Sequence, residues 1–306
     1  MNDLILTTEQ VKLTTLKNQA DRVFEILDVS ETTRADYKAR IGFFLGFIKK
    51  HGANNNSFRE YKKSLAERTD LTASTKNKYL ASAQVFLKEL NRQGVLPTDI
   101  TQNTKGFNQS KKHKRDGLTD EEIGKLSFEL GKLGRTPQNA RLRAIISLLA
   151  LQGLRQIEVV RLDVKDIDLV AKTALIQGKG RDDKEPIDLH PETIGVLKDY
   201  IKSNKKKDGA LFSSDSNRST ADKRLTTRSL RRIVKEKLAE LEIDKTTHGF
   251  RHYFTTTLIK TYKGDLLEVA QYTRHRGLEM LQVYNDSVKK KADLPRYYGA
   301  FSGVKF

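Results

Sequence analysis

THGFRHYFTTTLI, Thr247 to Ile259, and YTRHRGLEMLQVYNDS, Tyr272 to Ser287, decide how the carboxy-terminal part of this chain is read. In the first stretch Thr247 can cap a helix on which His248 and Arg251 fall three apart on one face. Phe250, Phe254 and Leu258 occupy another face and supply its buried anchor. A histidine and an arginine on one exposed stripe over an apolar footing suit a phosphate. His252 is turned roughly 100° around the helix from Arg251 and reads as a packing or surface histidine. The second stretch holds His275 and, nine residues later, Tyr284 on a further short helix. Alone, such a tyrosine reads as structural.

Two segments upstream carry further cations. In ALQGLRQIEVVRLDVKDID, residues 150–168, Arg155 follows Gly153 at the end of an apolar helix, and Glu158 can pair with it on the next turn. A guanidinium held there offers a planar fork to a phosphate; the plainer reading is a structural Arg–Glu pair. In QGKGRDDKEPI, residues 177–187, Lys179 stands at the tip of a hairpin whose glycines allow a tight turn. By itself it reads as an exposed hairpin lysine.

The rest of the chain divides into two regions. In the first hundred residues, Thr7 and Gln10 form a potential capping box before Leu16, Ala20, Val23 and Leu27. Ser30 precedes Tyr37, Ile41, Phe44, Leu45 and Ile48, with Gly52 placed as a terminal cap. Ser57 and Glu60 form another potential capping box, and a fourth helix runs from about Ser74 to Gln93. The expected domains are a helical unit over 1–97, a basic linker over 98–116 containing KKHKR, and a second domain over 117–306 whose tail begins near residue 288. Within the second, Thr119 caps a helix, 139–152 is a buried helix, and short β-branched runs near 164–169, 173–177 and 185–189 predict a three-stranded antiparallel sheet. Helices are expected over 191–204, 226–241, 247–263, 265–273 and 278–287, with Pro295 breaking any continuation. Leu294, Tyr297, Tyr298 and Phe301 are left to pack on this domain or on a neighbouring copy. The fold class is mainly α with a small antiparallel β-sheet.

Composition points to a polyanionic partner. Lys and Arg total 57 of 306 residues against 39 acidic ones, a net charge of +18, with +5 in residues 1–105 and +13 in 106–306. The chain has neither Cys nor Trp, which excludes a thiol nucleophile, a disulfide framework, a Cys-ligated zinc and an iron–sulfur cluster. The six histidines are scattered and no acidic pair of two-metal type is apparent, so no metal or other cofactor is expected. The start of the chain shows no basic region followed by an apolar run, which predicts a cytoplasmic protein, nucleoid-associated if prokaryotic, with no membrane partner.

Arg155, Lys179, His248-x-x-Arg251, His275 and Tyr284, in that order, make the chain resemble the tyrosine recombinase (phage integrase, Xer-like) family. GLRQIEVVRL, GKG and HGFRHYF are similar to its boxes, and the resemblance runs through residues 117–290. It implies a helical core-binding domain before a catalytic domain, and a site-specific recombinase that cleaves and rejoins DNA through a 3′-phosphotyrosyl intermediate. Lys179 is then the general acid, His248 the base, Tyr284 the nucleophile and Glu158 an orienting group for Arg155. A type IB topoisomerase-like enzyme, a telomere-resolvase-like enzyme and a catalytically silent DNA-binding factor are the alternatives. The implied partner is duplex DNA with inverted repeats, bound by four protomers on two duplexes, with a partner recombinase or directionality factor as possible additions. Lys76, Lys78, Lys111, Lys112, Lys114, Arg115, Arg228 and Arg231 are candidate DNA contacts, on a clamp of two basic domains. Arg274, where the family usually has Gly, and the acidic pair Asp182–Asp183 depart from the pattern.

Overall fold

The computed structural model describes residues 20, 22–109, 117–178, 180–214, 223–275, 277–300 and 302–303. The chain forms two compact units, Met1–Ser110 and Lys111–Phe306.

The first unit is helical. Residues 22–25 form a helical turn, followed by α1 (Glu31–His51), α2 (Ser57–Glu67) and α3 (Ala73–Arg92). The Ser30 hydroxyl accepts from Thr33 N–H, and Gly52, at φ +78°, closes α1 by donating to Ile48. Phe24, Phe44, Phe58, Phe86 and Leu90 meet in a core from which water is excluded. The Thr7–Gln10 box and Leu16 lie outside the described residues. The Ser57–Glu60 capping box does not form. Asn56 N–H binds the Asn54 side chain at 2.7 Å and Ser57 Oγ accepts from Asn54 N–H at 2.8 Å, so an Asn-centred turn takes the serine and the helix begins at it. Residues 98–109, read above as connector, lie against this unit. The Asn77 side chain both accepts from Phe107 N–H (2.7 Å) and donates to its carbonyl (2.9 Å), and Lys62 and Lys76 stand 5.6 and 5.7 Å from the Phe107 ring.

The second unit contains α4 (Asp120–Lys132), α5 (Pro137–Leu151), α6 (Gln156–Arg161), a 3₁₀ turn (Val164–Asp166), β1 (Ile167–Asp168), β2 (Thr173–Gln177), β3 (Lys184–Asp188), α7 (Pro191–Ser203), α8 (Thr227–Glu240), α9 (Thr247–Thr261), α10 (Leu266–Thr273) and α11 (Leu278–Gly299). Thr119 and Glu122 form the reciprocal capping box of α4. The sheet has the order β1-β2-β3, antiparallel throughout, with Ala174 paired to both Ile167 and Ile187. β1 is shorter than 164–169 because Asp163 N–H donates to Asp166, closing a 3₁₀ turn where alternation would have continued. Ala144, Ile145, Leu148 and Leu149 on α5 are fully buried at the centre of the main core. A second, small cluster of Ile259, Val269, Leu281 and Tyr284 ties α9, α10 and α11 together.

The break expected at Pro295 is absent, and α11 runs through it to Gly299. Proline removes one N–H bond, but residues 291 and 295 face solvent, where water can take the released carbonyl. Tyr297 and Tyr298 are more than half exposed, and Phe301 lies outside the described residues. Among the described residues no helix is long and apolar enough to cross a membrane.

Candidate active site

The end of α5 creates the first half of the site. Gly153 takes φ +57°, and a Cβ there would lie 2.3 Å from the Phe254 ring, so glycine alone lets the turn press against α9. The turn leads directly to Arg155 at the N-terminus of α6. Glu158, one turn on, is 1 % exposed. Its carboxylate accepts from Arg155 Nη1 and from Arg155 N–H, both at 2.8 Å. Backbone and guanidinium of Arg155 are thereby fixed by one buried charge, while the side chain keeps partial access to solvent.

α9 supplies the second half. Its N-cap is Thr246 rather than Thr247, and the Thr247 hydroxyl instead accepts from the Gln156 side chain, linking α9 to α6. The exposed stripe expected for His248 and Arg251 holds only for the histidine. Arg251 is buried, donating from Nη1 to the Gly153 carbonyl at 2.7 Å and from Nη2 to the Thr273 carbonyl at 2.6 Å. Its pKa falls to about 10, through burial first and then the nearby charges of Arg155 and Arg274. A cation so reluctantly held gains from an arriving anion.

α10 and α11 close the site. Thr273 Oγ1 donates to the Val269 carbonyl at 2.9 Å and lies 2.8 Å from His275 Nδ1. The hydroxyl proton is committed to Val269, so Nδ1 carries the imidazole proton in that contact. Tyr284 is buried with its ring 5.0 Å from that of His252 and 6.3 Å from that of His275. Burial pushes its phenol up to about 12, against the opposing pull of Arg251 and Arg155.

The structure thus gathers Arg155, Glu158, Arg251, His275 and Tyr284 in one chain, with His248 4.7 Å from His252 between ring centres. His252 is the residue the sequence reading undervalued: it is buried and touches both His248 and Tyr284. Arg274, at φ +56°, turns its side chain inward to pair with Glu158 at 3.0 Å. Arg155, Glu158, Gly178, Arg181, Glu185, Arg274 and His275 line one concave pocket. Lys179, Lys111, Lys112, Lys114 and Arg115 lie outside the described residues.

Of the other candidate DNA contacts, Arg228 and Arg231 are exposed on α8, and Arg231 reaches the Gln156 side chain at 3.5 Å. Lys78 is exposed in the first unit, whereas Lys76 is half-buried and donates to the Ala66 carbonyl at 2.9 Å. Composition alone did not locate a basic cleft of the first unit lined by Arg59, Lys62, Lys63 and Lys105.

Residues 117–291 match the profile of the phage integrase family. The chain is 27 % identical over 229 residues to tyrosine recombinase XerC of Lactobacillus delbrueckii subsp. bulgaricus, covering 72 % of this chain and 74 % of that one. To tyrosine recombinase XerC of a Roseiflexus species it is 29 % identical over 225 residues, covering 69 % and 68 %. In fold it is similar to the XerH site-specific recombinase bound to palindromic difH substrate in a post-cleavage complex, with a TM-score of 0.70, 20 % identity and coverage of 94 % and 86 %. It is also similar to a lambda integrase dimer bound to a COC′ core site, with a TM-score of 0.66, 12 % identity and coverage of 90 % and 77 %. Because the family match takes in most of the second unit, from Gly117 past Tyr284, the chain belongs to the phage integrase family and is a site-specific tyrosine recombinase, an enzyme of DNA strand exchange.

Proposed function

We propose that Tyr284 attacks a DNA phosphodiester within its own protomer and forms a 3′-phosphotyrosyl adduct, with Arg155 and Arg251 holding the phosphate. The observation that carries this reading is the convergence of Tyr284 and the two arginines in one chain, close enough for both guanidiniums to act on its phenol. At neutral pH that phenol is protonated, so attack needs a proton acceptor; His248 is assigned this part, with His252 packed against both rings. The phenolic oxygen bonds to phosphorus as the bond to the 5′ oxygen breaks. The departing oxygen takes a proton from Lys179, whose role rests on the family resemblance. His275, its Nδ1 proton tied to Thr273, donates from Nε2 to a phosphoryl oxygen once the ring is the imidazolium, with both ring nitrogens protonated. Charge developing on phosphorus is met by fixed guanidiniums, and the adduct conserves the bond energy for rejoining, so ATP and divalent metal are not required.

The partner is duplex DNA carrying inverted repeats, engaged by four protomers on two duplexes, in the cytoplasm and on the nucleoid of a prokaryotic cell. Lambda integrase, similar in fold, has been seen as a tetramer on a Holliday junction, and tail residues Tyr297 and Tyr298 are exposed for a neighbouring copy. Arg228, Arg231 and the cleft of Arg59, Lys62, Lys63 and Lys105 are assigned to phosphate contacts outside the reacting centre.

The test incubates wild type and Tyr284→Phe with fragmented genomic DNA in EDTA without ATP, denatures with SDS and sequences the covalent adducts. Adducts confined to wild type and focused on one short inverted repeat are expected. Equal loss of binding and cleavage in Tyr284→Phe would overturn the nucleophile assignment.

A further inference from the structure

Arg274 occupies a left-handed backbone position, φ +56° and ψ +40°, that ordinarily favours glycine. Its side chain is 8 % exposed. One nitrogen, Nη2, donates to Glu158 Oε2. Nε stands 3.9 Å from Glu185 Oε1, beyond hydrogen-bond range, and Nε and Nη1 are buried with no hydrogen-bond partner among the described residues. Buried guanidinium donors are rarely left in this condition.

The surroundings sharpen the point. Glu158 serves Arg155 through its backbone N–H and Nη1 as well as Arg274, so one carboxylate balances two guanidiniums. Arg251 adds a third cation close enough to be perturbed by both. Arg181 is neutralised by Glu185 at the rim of the same pocket. Burial lowers the Arg274 pKa, Glu158 and Glu185 raise it, and Arg155 and Arg181 lower it further. The pocket therefore holds excess positive charge, and Arg274, whose buried Nε and Nη1 have no hydrogen-bond partner among the described residues, lines it beside Arg155 and His275.

We infer that Arg274 is a third phosphate-binding arginine of this enzyme, donating to a non-bridging oxygen of the phosphodiester that Arg155 and Arg251 hold. The inference rests on the reading of Tyr284 and the two arginines given above. An anion in the pocket satisfies the buried donors and lets Glu158 remain shared, where now, among the described residues, it is the only counter-charge within hydrogen-bond reach of Arg274. Bound to a developing oxyanion, the guanidinium strengthens its interaction as charge accumulates.

The test has two arms. In the first, ¹⁵N NMR follows arginine Nε–H signals of the full chain during titration with dimethyl phosphate, and Arg274→Gly and Arg155→Ala identify the two relevant lines. Glycine suits the left-handed backbone, so that variant keeps the turn. A saturable shift of the Arg274 line is expected. An Arg274 line that stays in place while the Arg155 line moves overturns the inference and leaves the parent reading standing. Neither line moving, together with no Tyr284 adduct on DNA, overturns both.

In the second arm, Arg274→Gly forms the adduct about 10- to 100-fold more slowly on a duplex carrying the sequence recovered from adduct mapping. That loss is expected to vanish when a methylphosphonate replaces the attacked phosphate. A loss that vanishes only with a methylphosphonate at the neighbouring phosphate overturns the assignment to the reacting group. An equal loss on every substrate marks a structural role and overturns the inference.

Discussion

Tyr284 holds its proton far more tightly than an exposed phenol, because the side chain is buried and its phenolate would lose solvation that Arg251 and Arg155 only partly replace. The folded value, about 12, lies above the ordinary 10. Between those limits the unfolded chain releases the proton and the native one retains it, so the stabilisation is complete below pH 10 and is lost as pH rises. Relative to Tyr284→Phe, wild type should lose about 2 kcal/mol of unfolding free energy by roughly pH 11.5. Urea titrations of both proteins from neutral pH upward measure it. Comparison with the variant cancels the background of lysines and of Tyr61, whose pKa burial also raises. The string from Arg155 to Tyr284 was legible because residue types and order survive in one dimension. The inward turn of Arg274 and the contact of His252 with Tyr284 were not, since each depends on how α9, α10 and α11 cross.

Among the elements, the α5–α6 turn bears the tightest steric demand. Gly153 receives Arg251 through its carbonyl, positions Arg155 two residues on and leaves no room for a Cβ against Phe254. Gly153→Ala should therefore cost about 1–3 kcal/mol in stability, measured by thermal unfolding. Adduct formation measured below the unfolding transition should fall as well, because both arginines move with the turn. Helix placement was readable from apolar periodicity, and the three-stranded sheet from β-branched runs. Where the reading missed, local polar chemistry decided: Asn54 captured Ser57, Asp166 closed the 3₁₀ turn, and solvent accommodated Pro295. The burial of Arg251 escaped because three-residue spacing gives its face relative to His248 but not how deeply that face is covered.

For the whole molecule, the charge of +18 predicts DNA binding that weakens steeply with salt. Lys62→Glu combined with Lys63→Glu, both lining the basic cleft of the first unit, should lower affinity across DNA sequences. It should also reduce the slope of log affinity against log salt by about 2. Fluorescence anisotropy with a labelled duplex at several salt concentrations tests both effects.

The small cluster of Ile259, Val269, Leu281 and Tyr284 has a consequence of its own. It is far smaller than the core built on α5, and stability within a domain follows the apolar surface each part buries. Amide protons of α10 and α11 should therefore exchange through an opening that leaves those of α5 protected. The tyrosine thus rides on a segment anchored by far fewer buried apolar side chains than α5, and an opening of that segment would withdraw the nucleophile while the scaffold around α5 stays folded.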